Sequence, residues 1–277
     1  MIQDIAPSRL YNEYRECSPI DGDVIYIFNE DGRVLLGDDK GRILFVRHED
    51  IPDARTIYLF SVDEQRFFLN LDTSDCQRDS YEYVTIREVR DRFSGTSMSD
   101  VFSVFTAYHL WRWYADNKCC GRCGNVLKPG TTERSLVCPE CGNTVYPRIN
   151  PAVIVGVTKG DCLLLTRYRT GYGHNALVAG FTEIGETLEE SVQREVMEET
   201  GIRVTNIRYY KSQPWGMAQD MLVGFYCDAV GDDEIRMDEG ELKYAEWVRR
   251  EDIELQPNNL SLTNEMMRVF KENRLRT

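Results

Sequence analysis

Three glutamates set close together, Glu195, Glu198 and Glu199, are the residues in this chain best placed to do chemistry. Positions three and four apart on a helix are neighbours, so these carboxylates converge. Like charges at that spacing cost roughly 0.2–0.5 kcal/mol per pair in an isolated helix, so stability alone does not select them. A hard cation such as magnesium or manganese removes the repulsion and prefers oxygen ligands. Held beside a phosphate, such an ion also lowers the pKa of an attacking water. Arg194 lies four residues before Glu198, where it can orient a carboxylate or the preceding loop. Taken alone, three glutamates fit a solvated acidic face better, and what surrounds them decides.

A second constellation is sulfur. Cys120-Gly121-Arg122-Cys123-Gly124 and Cys138-Pro139-Glu140-Cys141-Gly142 are two matched C-x-x-C-G knuckles. In each, the glycine lets the backbone fold back so that both thiolates face one ion. Four sulfurs make the closed tetrahedral set of structural zinc, with no position open to water. Cys120, Cys123, Cys138 and Cys141 are therefore expected to hold structure. Cys119 breaks the matching pattern and is left out. Cys17, Cys76, Cys162 and Cys227 read as buried small apolar residues.

The elements that must position these groups are legible in part. Thr187 and Glu190 form a capping box that starts a helix near Leu188, and Gly201 suits the left-handed position that ends it. Leu188, Val192 and Val196 give that helix an apolar stripe. Ala152–Val157 and Cys162–Leu165 suit buried strands, and a last helix falls near Leu262–Lys271. A helix over about Ser99–Ala115, capped by Asp100, presents Phe102, Phe105, His109 and Trp113 on one face, with His109 packed and not a ligand. Before it, Val24–Phe28, Val34–Leu36, Ile43–Val46, Ile57–Val62 and Phe67–Leu71 read as a β meander divided by turn residues.

Residues 180–202 read G-x5-E-x7-R-E-V-x-E-E-x-G-I, and at every defining position this resembles the Nudix hydrolases. The resemblance implies an α/β/α sandwich with a mixed sheet and a helix that carries metal. By position it makes Glu195 and Glu199 the principal metal ligands and Glu198 a ligand or general base, with Glu186 and Arg194 completing the catalytic set. Ser212-Gln213-Pro214-Trp215 beyond the box, with the cysteine knuckles before it, resembles the NADH pyrophosphatase subfamily from about Trp111 onward. That likeness implies a substrate loop from Ser212 to Gln219, with Tyr146 and Ala179 bordering the dinucleotide. It adds Thr263 from the C-terminal segment and Glu241 as a further metal ligand. Tyr146 and Trp215 can stack on a base, Gln213 offers a donor and an acceptor, and Pro214 lies between them in the same substrate segment. The family continues S-Q-P-W-P-F-P-x-S, whereas this chain has Gly216-Met217-Ala218-Gln219-Asp220. Two prolines and an aromatic are lost, so a less rigid loop is expected.

The expected layout is a β-rich N-terminal domain ending in a helix over 1–116, a zinc ribbon over 117–147 and a Nudix domain over 148–277. The fold class is thus mixed, α+β with an α/β sandwich. The leading functional expectation is hydrolysis of NAD(H) to AMP and nicotinamide mononucleotide, with magnesium or manganese, and removal of NAD caps from the 5′ end of RNA. A pyrophosphatase for ADP-ribose or another nucleotide sugar comes second, and a nucleotide-sensing module third. The composition, 42% hydrophobic and 29% charged over 277 residues, is that of a globular protein. A net charge of -13 argues against broad affinity for nucleic-acid backbones. No apolar run suits a bilayer span, so a cytoplasmic protein without membrane contact is the default expectation. The resemblance also implies a homodimer.

Overall fold

The computed structural model describes residues 1–72, 78–93, 95–170, 173–231 and 234–275. The chain divides into two units. One holds residues 1–2, 149–215 and 220–277; the other holds 3–148 and 216–219.

In the second unit the strands are β1 (Leu10–Tyr11), β2 (Val24–Tyr26), β3 (Val34–Asp39), β4 (Arg42–Leu44), β5 (Thr56–Val62), β6 (Gln65–Asn70) and β7 (Tyr81–Val84). They form two sheets, ordered β1-β5-β6-β2 and β4-β3-β7, so the expected meander is corrected. The hairpins at Asp39–Arg42 and Val62–Gln65 do form. However, β2 runs parallel to β6, and Phe28 meets Val34 only through an isolated bridge. Buried Tyr26 explains why β2 stays inside: its hydroxyl shares a 2.6 Å hydrogen bond with Ser103 Oγ.

Two helices follow, α1 (Ile86–Arg92) and α2 (Met98–Asp116). The cap of α2 is Ser97, which accepts from the Asp100 N–H, and not Asp100. Asp100 lies in the first turn, where its charge suits the helix dipole. Val101, Val104, Ala107 and Leu110 are buried along with Phe102, Phe105 and Trp113, so α2 buries more than the one stripe expected. A three-stranded ribbon, β8 (Lys128–Pro129), β9 (Leu136–Val137) and β10 (Thr144–Val145), completes the unit in the order β10-β9-β8.

The first unit is the α/β/α sandwich. Its strands are β11 (Asn150–Lys159), β12 (Cys162–Tyr168), β13 (Val178–Phe181), β14 (Val204–Trp215), β15 (Asp220–Ala229) and β16 (Leu242–Arg249). Order β14-β15-β11-β12-β16, with β13 also on β11, makes a mixed sheet: β11 and β15 are parallel and the other pairs antiparallel. Alternation along β11 builds the layers. Val153, Val155 and Val157 pack with Val192 and Val196 of α3 (Leu188–Thr200). Ile154, on the other face, packs with Leu262, Met266 and Phe270 of α4 (Leu262–Lys271). Gly156 shares that second face, and a Cβ there would lie 2.6 Å from the Tyr226 ring. No described helix is long and apolar enough to cross a membrane.

Candidate active site

Helix α3 starts and stops where its residues dictate. Thr187 accepts from the Glu190 N–H, Glu190 reaches back to the Thr187 N–H, and Gly201 ends the helix at φ 70°. Val192 and Val196 are fully buried, which fixes the face on which Glu195 and Glu199 lie. That face meets β13. A Cβ on Gly180 would lie 2.0 Å from the carboxyl carbon of Glu195, so this carboxylate occupies the space that glycine leaves. The next residue back, Ala179, gives its backbone N–H to the Glu199 carboxylate. Ala179 thus borders the site, and Gly180 shapes it.

Glu199 is 3% exposed, and its Oε2 has no hydrogen-bond partner among the described residues. Burial, followed by the charge of Glu195, pushes its carboxyl up to about 8 against the pull of the Ala179 N–H. Glu241 and Asp238 add to the push. Backbone bonds bring them there: Asp238 N–H reaches the Glu199 carbonyl at 2.9 Å, and Arg169 N–H reaches the Glu241 carbonyl at 2.9 Å. Burial also raises Glu195. A concentrated, partly desolvated set of acids with one orphaned oxygen fits a divalent cation.

Arg194 performs both expected tasks. It donates through Nη1 to Glu195 at 2.7 Å and to Glu198 at 3.0 Å. Through Nη2 it reaches the Phe181 carbonyl and Glu186, each at 2.9 Å. The guanidinium holds Glu186 down to about 2, and Glu186 in turn accepts from the Glu183 N–H at 3.0 Å, closing the loop before the helix. Glu198 stands at the rim, its side chain 60% exposed.

Reasoning from sequence missed Tyr168. Burial raises its phenol, and so do the charges of Glu199, Glu241 and Glu195, which puts the ring in their field. An aromatic at a strand end carries no signal of this.

The substrate segment differs from expectation. Ser212, Gln213, Pro214 and Trp215 are strand, paired in order with Val223, Leu222, Met221 and Asp220. Only Gly216–Gln219 form a turn, and it is tightly packed: a Cβ on Gly216 would lie 2.2 Å from the Phe105 carbonyl oxygen. The loss of prolines is thus offset by close backbone contact. Gln213 does not offer its amide to a base. It is fully buried, its Nε2 donates to the Leu260 carbonyl at 2.8 Å, and its Oε1 accepts from the Leu262 N–H at 2.7 Å. It pins the start of α4, in whose first turn Thr263 is half-buried.

Tyr146 and Gln219 belong to the other unit, where they share a cavity of about 170 Å³ with Trp113, Asp116 and Arg148. Arg148 donates to Gln219 Oε1 at 3.0 Å, and the Tyr146 hydroxyl donates to Glu133 at 2.8 Å. His109 is held on the Arg148 carbonyl at 2.8 Å, as a packed histidine would be.

The four cysteines meet as their spacing demands. All four sulfurs lie within 4.8 Å of one another, among the described residues. Two of the separations are 3.6 Å for Cys120–Cys141 and 3.4 Å for Cys123–Cys138. A tetrahedral zinc with Zn–S near 2.3 Å sets its sulfurs about 3.8 Å apart, so the set fits a zinc ribbon. Gly124 and Gly142 take φ of 79° and 69°, and each donates its N–H back to the first cysteine carbonyl of its knuckle. The Asn125 backbone N–H lowers the Cys123 thiol to about 6, favouring the thiolate. Of the other cysteines, Cys227 is buried as expected, Cys162 is partly buried, and Cys17 is exposed, a correction. Cys76 lies outside the described residues.

Gly180→Ala should separate catalysis from stability. The colliding group is the tip of a flexible side chain, so Glu195 moves and the strand stays. We expect kcat/KM to fall by about 10²-fold, the scale of an ångström-sized misplacement. The melting temperature should shift by only a few degrees in the same preparation.

Comparison with known proteins agrees with this geometry. The NUDIX domain model matches residues 147–270. The NAD-capped RNA hydrolase NudC of Klebsiella pneumoniae subsp. pneumoniae is 43% identical over 151 residues, 53% of this chain and 58% of that protein. NudC of Salmonella typhi is 42% identical over 149 residues, with the same coverage. The match therefore spans little more than half the length of these relatives. Among solved structures, a NUDIX hydrolase from Nitrosomonas europaea superposes with a TM-score of 0.50. It is 23% identical, covers 57% of this chain and 92% of its own, and shares the fold. Over residues 147–270 this chain is thus similar to Nudix domains in sequence and in fold.

Proposed function

We propose that this chain hydrolyses the pyrophosphate of NAD(H) to AMP and nicotinamide mononucleotide, and removes the same group from the 5′ end of NAD-capped RNA. The observation that carries this reading is the acid cluster on α3, with Glu199 buried, its own Oε2 without a hydrogen-bond partner among the described residues, and Glu195 seated over Gly180. Glu195, Glu199 and Glu241 would hold magnesium or manganese, with Glu198 at the rim. When bound there, the cation supplies charge neutralisation for the pyrophosphate and a lowered pKa for water. Arg194 keeps Glu186, Glu195 and the Phe181 carbonyl in fixed relation, so the acids are preorganised. The cysteine set would hold zinc in a structural role. The names of the NudC relatives support the choice of substrate. The homodimer that the resemblance implies belongs to the same reading, and exposed Ile149, Phe181 and Ile184 are apolar side chains that a partner could cover.

The turn Gly216–Asp220 favours a second reading, a pyrophosphatase for ADP-ribose, because it departs from the NADH pyrophosphatase pattern. Steady-state comparison of NADH with ADP-ribose separates the two. A higher kcat/KM for NADH supports the first; a large advantage for ADP-ribose replaces it with the second.

A further inference from the structure

The acids on α3 gather groups that accept hydrogen bonds, and a diphosphate brought to them presents oxygens that also only accept. A cation can hold some of those oxygens, and the rest need donors. Arg194 has none left. Its five N–H groups meet Glu186 twice, Glu195, Glu198 and the Phe181 carbonyl. The Ala179 N–H is taken by Glu199.

Tyr168 brings a donor from the sheet. It is the last residue of β12, and alternation along that strand fixes its face. Leu163 and Leu165 pack with α4, and Arg167 follows them on that side, 5.6 Å from the ring centroid of Tyr244. Leu164 packs with α3, with Trp247 opposite it in register. Tyr168 falls on the Leu164 side. The register slip beside it skips Lys243 on β16, so the count along β12 is unbroken and Tyr168 stands opposite Leu242, next to Glu241. The charges of Glu199, Glu241 and Glu195 all reach its phenol, as that placement requires. Burial, then those charges, raise the phenol above its usual value, so it keeps its proton. Among the described residues its hydroxyl has no hydrogen-bond partner, and it is not sealed from solvent. We propose that the Tyr168 hydroxyl donates a hydrogen bond to a non-bridging oxygen of the pyrophosphate, a substrate contact that the carboxylates and Arg194 cannot make. This inference rests on the diphosphatase reading. The contact falls on the group common to NADH and ADP-ribose, so it serves the rate and not the choice between them.

Tyr168→Phe removes the hydroxyl and keeps the ring. With manganese, kcat/KM should fall by about 10- to 10²-fold, the scale of a hydrogen bond to a charged group. The factor should be the same for NADH and ADP-ribose where both are cleaved. The melting temperature of the metal-free protein, and the manganese concentration that gives half the maximal rate, should stay as in the wild type, since the hydroxyl holds no partner in the protein. An undiminished kcat/KM overturns the proposal, and so does a loss on one substrate that spares the other. A marked fall in melting temperature or a raised manganese requirement overturns it too, because the hydroxyl would then serve the fold or the metal. Should the wild type cleave neither substrate, the diphosphatase reading fails instead. Calorimetric titration with methylenediphosphonate in the presence of manganese then decides the inference. Binding weakened at least about fivefold in Tyr168→Phe upholds the contact, and equal binding overturns it.

Discussion

Glu199→Gln should lose about 10²–10⁴-fold in kcat, the range for a carboxylate that acts directly in proton transfer or holds the activating ion. The same change should leave the metal-free protein as stable as before, or more so. Glu199 is a buried acid whose folded pKa, about 8, lies above that of an unfolded glutamate. The unfolded chain therefore releases this proton at lower pH than the folded one. The associated stability is fully present below the unfolded value and is lost as pH rises toward about 8. Gln keeps the shape and removes that slope. Melting curves from pH 4 to pH 8 without metal should fall with pH for the wild type more than for the variant. A variant that is both inactive and strongly destabilised would mean that the carboxylate is a structural partner. Burying an acid at such cost is the trade of stability for function expected at an active site.

Zinc removal should be the larger structural effect. Cys120 and Cys138 are buried with Trp113, Leu127 and Leu136 in one small apolar cluster, and the ribbon strands are only two residues long. So small a core cannot hold four sulfurs together by packing alone. Structural zinc contributes on the order of 10–16 kcal/mol in small peptide sites at pH 7. Cys138→Ser, or chelation at low pH, should therefore melt the ribbon, expose Trp113 and shift its fluorescence to the red. Re-addition of zinc should reverse the shift in the chelated wild type but not in the variant. An unchanged Trp113 environment after complete zinc loss, measured by metal analysis, would show that the ribbon stands without metal.

What the sequence made legible was local. Thr187, Glu190 and Gly201 set the ends of α3 through bonds that span three or four residues. The cysteine knuckles close within five. Alternation on β11 follows from its run of valines, and the two helices lie where their apolar periods put them. What escaped was long-range. The parallel partner of β2 lies beyond three intervening strands, so turn residues suggested a meander instead. Gln213 meets its partners at Leu260 and Leu262, and nothing near it in sequence tells a buried structural glutamine from a ligand-binding one. Tyr168 and Asp238 join the acids through sheet register and a turn. Gly180 belonged to the recognised pattern, yet only geometry shows that its missing side chain is the seat of Glu195. The cap of α2 falls on Ser97, three residues before the Asp100 expected, because the Ser97 hydroxyl accepts from the Asp100 N–H.

The central claim is that this chain hydrolyses the pyrophosphate of a nicotinamide dinucleotide, with the α3 acids as the groups that would hold a divalent cation beside it. Its most direct measurement is mass-resolved product analysis of NADH incubated with the wild-type protein and manganese, then with a chelator, then with manganese restored. The prediction is AMP and reduced nicotinamide mononucleotide in equal amounts, stopped by the chelator and resumed with the metal. Intact NADH throughout, with the protein folded, would contradict it, whether or not ADP-ribose is cleaved.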